Sequence, residues 1–222
     1  MASRVDEPST LFKLGGSLLS ISDLPDRLEA VFMLIPCGRP LIVVGGGAAA
    51  DVVREWQAIH SLDDETAHQL ALCAMSLNES LVCKLLPTAT LVSDRSTLQD
   101  AWDQQRIPIM SAVIFLEREE PAAVRPLPHD WSATSDSIAA WTALQLNMDR
   151  VVLLKSIDLP SEISLQEAAH ADLVDSHFPV AAQGLDITWV NLRSMPLRPG
   201  SWTKANHSTD RSPHEPHAPV GR

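Results

Sequence analysis

Pro40-Leu41-Ile42-Val43-Val44-Gly45-Gly46-Gly47 carries no charge and ends on consecutive glycines. A strand that is apolar at every position has both faces covered, which is the condition of a strand inside a parallel sheet. Glycine stops it and lets the backbone turn tightly. Thr10-Leu11-Phe12-Lys13-Leu14, followed by Gly15-Gly16, repeats the design upstream, and Arg150-Val151-Val152-Leu153-Leu154 repeats the apolar run downstream. Segments of helical spacing lie between them. Asp23 is predicted to cap a helix with Pro25 in its first turn and Leu28, Val31, Phe32 and Ile35 on one face. After Gly47, the residues Val52, Val53, Trp56 and Ile59 fall on one side of a second helix. Asp63 and Asp64 open a third helix, whose apolar stripe is Leu70, Ala71, Ala74, Leu81, Val82 and Leu85 and which Pro87 ends.

Further strands are predicted over 90–92 and 109–116, with a last one over 186–191, and further helices over 96–105, 135–146 and 165–169. The charged, proline-bearing stretch 117–128 reads as a surface connection. Apolar strands alternating with helices imply an α/β chain, a three-layer αβα sandwich with a mainly parallel open sheet. The expected organisation is an extension over 1–9, one domain over 10–202 and a disordered tail over 203–222. That tail loses apolar content and carries His207, His214 and His217 among prolines, a composition that suits solvent.

The 222 residues carry a formal charge of −11, which argues against nucleic acid or an anionic membrane as partner. Cys37, Cys73 and Cys83 lack paired spacing and suit a reducing compartment. Asp6, Glu7 and Pro8 interrupt any apolar leader, and the apolar stretch 41–50 is too short to span a bilayer, so a cytoplasmic protein is expected.

Five of the nine glycines fall in the two clusters that follow strands. Such turns bring backbone N–H groups close to an anion, although tight strand-to-helix turns without a ligand have the same sequence. The composition uses thirteen arginines but four lysines, and two of these, Lys13 and Lys155, stand at strand ends. In open parallel sheets that edge is where ligands bind. A compact ammonium suits a crowded phosphate site better than a wide guanidinium, so Lys13 and Lys155 read either as a clamp on a transferring phosphoryl group or as strand-end lysines that snorkel to the surface. Asp136, in Thr134-Ser135-Asp136-Ser137, begins a helix. It serves either as a helix starter or as the partner that holds the lysines. Gly45, Gly47 and Ala50 also match a dinucleotide fingerprint, but the acid that fingerprint needs on the following strand is absent: Asp63 and Asp64 open a helix instead.

Taken in order, Lys13-Leu14-Gly15-Gly16-Ser17, Val43-Val44-Gly45-Gly46-Gly47 and Thr134-Ser135-Asp136-Ser137 resemble the motifs of the amino acid kinase family, over about residues 10–192. The resemblance implies transfer of the ATP γ-phosphoryl to a small anionic acceptor, with Mg²⁺ carried by the nucleotide. It implies catalytic roles for Lys13, Asp136 and Lys155, phosphate contacts at Gly15, Gly16 and Ser17, acceptor contacts at Gly45, Gly46 and Gly47, and nucleotide contacts at Ser156 and Asp158. It also implies a homo-oligomer. The chain departs from the pattern in its Leu154-Lys155-Ser156-Ile157-Asp158-Leu159-Pro160 loop, and it lacks a lysine between Lys155 and Lys204 where many members supply a second one. Lys155 is the expected replacement. The short form is most similar to the branch that phosphorylates aminomethylfuran-methyl phosphate in methanofuran-type cofactor synthesis. Uridylate, isopentenyl phosphate and carboxylate acceptors, and a non-catalytic nucleotide or oxyanion binder on the same fold, are the alternatives.

Overall fold

Leu11, Phe12 and Leu14 expose no surface, and neither do Leu41 to Val44 or Val151 to Leu154, as strands covered on both faces require. The computed structural model describes residues 8–203. Its centre is β1 (Ser9–Leu14), hydrogen-bonded in parallel to β2 (Arg39–Val44) on one side and β5 (Arg150–Lys155) on the other. With β3 (Ala89–Val92), β4 (Ile107–Met110), β6 (Asp186–Asn191) and β7 (Gly200–Thr203) the sheet runs β3-β4-β2-β1-β5-β6-β7. Every neighbouring pair is parallel except β6 with β7.

Register fixes which side chains share a face. Lys13 lies level with Val43 and Leu153, so Leu11, Lys13, Leu153 and Lys155 all point to one side of the sheet. That side packs against α6 (Ser135–Gln145), α5 (Ala112–Glu119) and the short α8 (Phe178–Ala181). The opposite side, with Phe12, Leu14, Ile42, Val44 and Leu154, is covered by α1 (Leu24–Leu34) and the end of α3 (Asp64–Leu85). The helices α2 (Gly47–His60) and α3 pack on each other through a third, smaller cluster, while α4 (Arg95–Asp103) and α7 (Leu165–His170) complete the layers. The three-layer αβα arrangement is the one expected.

Several elements differ from expectation. The stretch 109–116 is not a strand: β4 stops at Met110 and α5 begins at Ala112. Its apolar residues Ala112, Phe115 and Leu116 return at helical spacing, and an apolar run this short reads equally as strand or helix. The strand over 186–191 is not the last, because β7 pairs antiparallel at the sheet edge with Gly200 and Ser201 in its sequence. On α2 only Val53 of the expected stripe is buried, and Trp56 and Ile59 are 48% and 70% exposed. On α3, Leu81 and Leu85 also face outward, and the buried side runs through Leu72, Met75, Asn78, Glu79 and Val82. The inward face there includes polar groups that grip backbone, which a hydrophobic stripe cannot reveal. No helix among the described residues is long and apolar enough to cross a membrane. Most of the expected extension over 1–9 and all but Thr203 of the expected tail over 203–222 lie outside the described residues.

Candidate active site

The C-terminal edge of β1 and β2 is built from two glycine turns pressed together. Gly15 N–H continues the sheet by donating to Leu154 O at 3.0 Å, and Gly45 N–H does the same to Leu14 O at 2.8 Å. Beyond them the backbones of Gly16 and Gly47 are in direct contact. A Cβ on Gly16 would lie 2.2 Å from Gly47 N, and one on Gly47 would lie 2.6 Å from the Gly16 carbonyl carbon. Gly47 also has φ +49°, a left-handed conformation that costs an L side chain about 1–2 kcal/mol. Glycine is required here by space and by backbone shape together.

Asn78 of α3, 7% exposed, fastens the second turn by donating Nδ2 to Gly45 O at 2.7 Å and to Gly46 O at 2.8 Å. Its neighbour Glu79 accepts the Ala112 N–H at 3.0 Å, at the start of α5. Burial pushes that carboxyl up to about 7, and the single backbone hydrogen bond only partly offsets the effect.

Lys13 and Lys155 meet on Asp136. Lys13 Nζ lies 2.8 Å from Oδ1 and Lys155 Nζ lies 2.7 Å from Oδ2. Lys155 also donates to Leu173 O at 2.8 Å. Burial opposes the Asp136 charge, but two ammonium groups outweigh it and draw its pKa down to about 2. Burial also lowers the pKa of Lys155, with Asp136 pulling against that effect. The Asp136 side chain is therefore the lysines' partner rather than a cap: the first turn of α6 is held by Asp175, from the segment after α7. Asp175 accepts from Thr134 N and Thr134 Oγ1 at 2.9 Å each, from Ser137 N at 3.0 Å and from Ser137 Oγ. Burial raises the pKa of Asp175, and the Asp136 charge adds to the rise.

These groups open on a cavity of about 270 Å³ lined by Lys13, Lys155, Asp136, Gly15, Gly16, Ser17, Gly46 and Gly47. The structure thus brings most of the expected site residues to one place. Gly45 is an exception, since its N–H and carbonyl are both used to hold the turn. Gly15 lines the cavity with its N–H already committed to the sheet, leaving Gly16 and Ser17 as the first turn of a short 3-10 helix (Gly16–Ser20). Ser156 sits beside Ser17, their hydroxyls 3.4 Å apart. Asp158 does not line this cavity: it accepts from Asn191 Nδ2 at 3.0 Å and lines a second cavity of about 460 Å³ with Trp189, Arg198 and Trp202. Sequence reading missed Asn78 and Asp175. Each acts on backbone more than thirty positions away, so no local pattern marks it.

One edge of a parallel α/β sheet thus joins two fused glycine turns to a buried Lys-Asp-Lys bridge. The sequence profile of the amino acid kinase family matches residues 9–159, and the chain belongs to that family. It is accordingly a small-molecule kinase, a phosphotransferase acting on a small substrate. Its fold is similar to uridylate kinase from Archaeoglobus fulgidus, with TM-score 0.56, 17% identity and coverage of 82% of this chain and 88% of the other. It is similar also to the UMP kinases of Bacillus anthracis (TM-score 0.58, 14% identity, 86% and 89% covered) and Ureaplasma parvum (0.58, 15%, 85% and 91%). No curated protein matches the sequence.

Proposed function

We propose that the protein transfers the γ-phosphoryl of ATP to a small phosphate monoester, aminomethylfuran-methyl phosphate being the acceptor that the sequence resemblance favours. The observation that carries this reading is the Lys13–Asp136–Lys155 bridge beside two glycine turns in one cavity. An acceptor phosphate is already a nucleophile at neutral pH, so the site needs alignment and charge neutralisation rather than a general base. Lys13 and Lys155 together exceed Asp136 by one positive charge, and that excess faces the phosphoryl in flight. Asp136 keeps two ammonium groups close without mutual repulsion driving them apart. Gly16 and Gly47 present backbone at a distance no side-chain-bearing residue allows, with Ser17 next to them in the first turn of the 3-10 helix.

The triphosphate runs in this reading from Gly16 and Ser17 past Ser156, with the base end assigned to the cavity beside Asp158. In this reading Mg²⁺ is held chiefly by phosphate oxygens and water. Such an ion neutralises charge on the transferring group. Self-association belongs to the same proposal, supported by Leu77 and Leu81, 66% and 42% exposed one turn apart on α3, and light scattering measures it. ADP release measured with ATP against a panel of phosphate monoesters and carboxylates tests the reading. Turnover with aminomethylfuran-methyl phosphate supports it, and turnover with carboxylates alone removes the phosphate-monoester acceptor.

A further inference from the structure

Lys155 Nζ lies over the indole of Trp189, 5.5 Å from the ring centroid. Trp189 belongs to β6, level with Leu153 of β5, so it stands on the same face of the sheet as Lys155. The indole is buried, and its place is set from several sides. Its Nε1–H donates to Ile157 O at 2.9 Å, two residues past Lys155. Trp202 of β7 meets it edge to face, with centroids 5.5 Å apart and planes at 88°. Trp202 is fastened in turn, donating Nε1–H to Ile163 O at 2.9 Å and stacking on Phe178. A ring packed in this way offers the ammonium a fixed face.

Asp136 Oδ2 at 2.7 Å and Leu173 O at 2.8 Å take two of the three Lys155 ammonium hydrogens. The other charged groups that act on it are Lys13, which repels it, and Asp175, whose carboxylate is occupied by Thr134 and Ser137. Burial favours the neutral amine, so a lysine that is to meet a phosphoryl needs a partner that favours its charge. A second carboxylate would supply that and cancel the positive excess over Asp136. The negative face of an indole attracts the ammonium with no net charge. At 5.5 Å it does so without accepting a hydrogen bond, which leaves the third hydrogen for the cavity that Lys155 lines.

We propose that Trp189 is a positioning residue for phosphoryl transfer: its indole face keeps the Lys155 ammonium charged and held between Asp136 and Leu173 O at the cavity. Trp189 acts here through Lys155, and the inference rests on the part given to Lys155 in the proposed transfer. Loss of the ring face disfavours the charged form, so Lys155 then gives up its proton at lower pH. Phenylalanine restores a weaker face, whereas methionine fills space without one.

A chain with four lysines makes that titration readable. The full chain is labelled with lysine carrying carbon-13 at Cε, and the Lys155 signal, assigned by its disappearance in Lys155→Met, is followed by NMR as the pH rises. In the unsubstituted protein the Lys155 ε-protons are expected upfield of those of the exposed Lys84, because the ring face shields them. Equal shifts for the two lysines overturn the inference even where a tryptophan variant fails to fold. Trp189→Met is expected to lower the midpoint of the Lys155 titration by about one pH unit, and Trp189→Phe by about half of that or less. Calorimetry at pH 8 with a non-hydrolysable ATP analogue and Mg²⁺ supplies a second readout. Trp189→Met is expected to weaken that binding about fivefold or more, but less than about twofold when Lys155→Met is already present, since the indole acts through the ammonium. An equal loss of affinity in the two backgrounds overturns the inference. A midpoint unmoved by Trp189→Met, in a chain that binds the analogue, removes Trp189 from the mechanism and leaves the kinase proposal standing. A midpoint that moves as expected in a chain that does not bind the analogue upholds the hold on Lys155 and removes ATP as the donor.

Discussion

Lys13 and Lys155 stand on the same face of adjacent parallel strands, with Lys155 two positions nearer the C-terminal edge, and they take one oxygen each of the same carboxylate. That relationship makes both ammonium groups part of one charged unit. Lys13→Ala and Lys155→Ala are each expected to lower turnover by about 10²–10³, the effect of losing one transition-state donor. Arginine is expected to fail as a replacement at either position, because a planar fork does not fit a site shaped for a point charge. Steady-state kinetics on purified variants checks both; two alanine variants with wild-type turnover would rule the clamp out.

Asp136→Asn keeps the shape and removes the charge between two buried cations. Breaking a buried pair in this way costs about 3–5 kcal/mol. Because the Asp136 carboxyl is held at about 2 against an ordinary 3.8, its stabilisation is fully present above pH 4 and is lost as the pH falls through about 2. Acid unfolding followed by circular dichroism is expected to lose this low-pH component in the Asn variant.

The contact of Gly16 with Gly47 predicts a contrast among glycines. Gly16→Ala and Gly47→Ala force backbone apart and are expected to abolish phosphoryl transfer while lowering the melting temperature. Gly184→Ala, at φ +82° with nothing within 4 Å of the added methyl, is expected to cost about 1–2 kcal/mol and leave kinetics unchanged. Thermal melts and kinetics on all of them decide the matter, and an active Gly16→Ala enzyme would contradict the fused-turn account.

Asn78→Ala leaves the Gly45 and Gly46 carbonyls without their donor. The expected cost is about 1–3 kcal/mol in stability per acceptor left unsatisfied. The acceptor KM is expected to rise more than kcat falls, since the turn lines the cavity without carrying charge. A kcat loss with unchanged KM would assign Asn78 a different role.

Glu79 binds a proton more tightly folded, at about 7, than unfolded, near 4.5. The folded state therefore takes up protons relative to the unfolded one. The favourable contribution is complete below about pH 4.5 and is lost as pH rises through about 7, amounting to about 3 kcal/mol. Denaturant titrations at pH 5 and pH 8 are expected to show the wild type less stable at the higher pH. Glu79→Gln, which retains an acceptor for Ala112 N–H, is expected to flatten that difference.

The central strands were legible because burial on both faces leaves a local mark: Leu41 to Val44 and Val151 to Leu154 have no polar position at all. The glycine clusters were legible for the same reason, as consecutive residues in one turn. Less was visible where one pattern suits two structures. The stretch around Met110 joins a strand to a helix with a single residue between, so its apolar character persists while its period changes. The faces of α2 and α3 were misjudged because Asn78 and Glu79 occupy inward positions while Trp56 and Leu81 do not.

The sequence by itself determined an α/β chain with glycine turns at strand ends and two lysines poised at the same edge, because strand burial and turn geometry are properties of neighbouring residues. Tertiary structure alone decided that Asp136 bridges both lysines, that Asp175 holds the helix carrying it, that Asn78 grips the second glycine turn, and that His68 meets His129 across the far end of the cavity. Those contacts join residues from 19 to 123 positions apart, at Asp136–Lys155 and Lys13–Asp136 respectively. Their energies arise from desolvation and charge in a shared interior, which no single segment of chain possesses before the sheet has assembled.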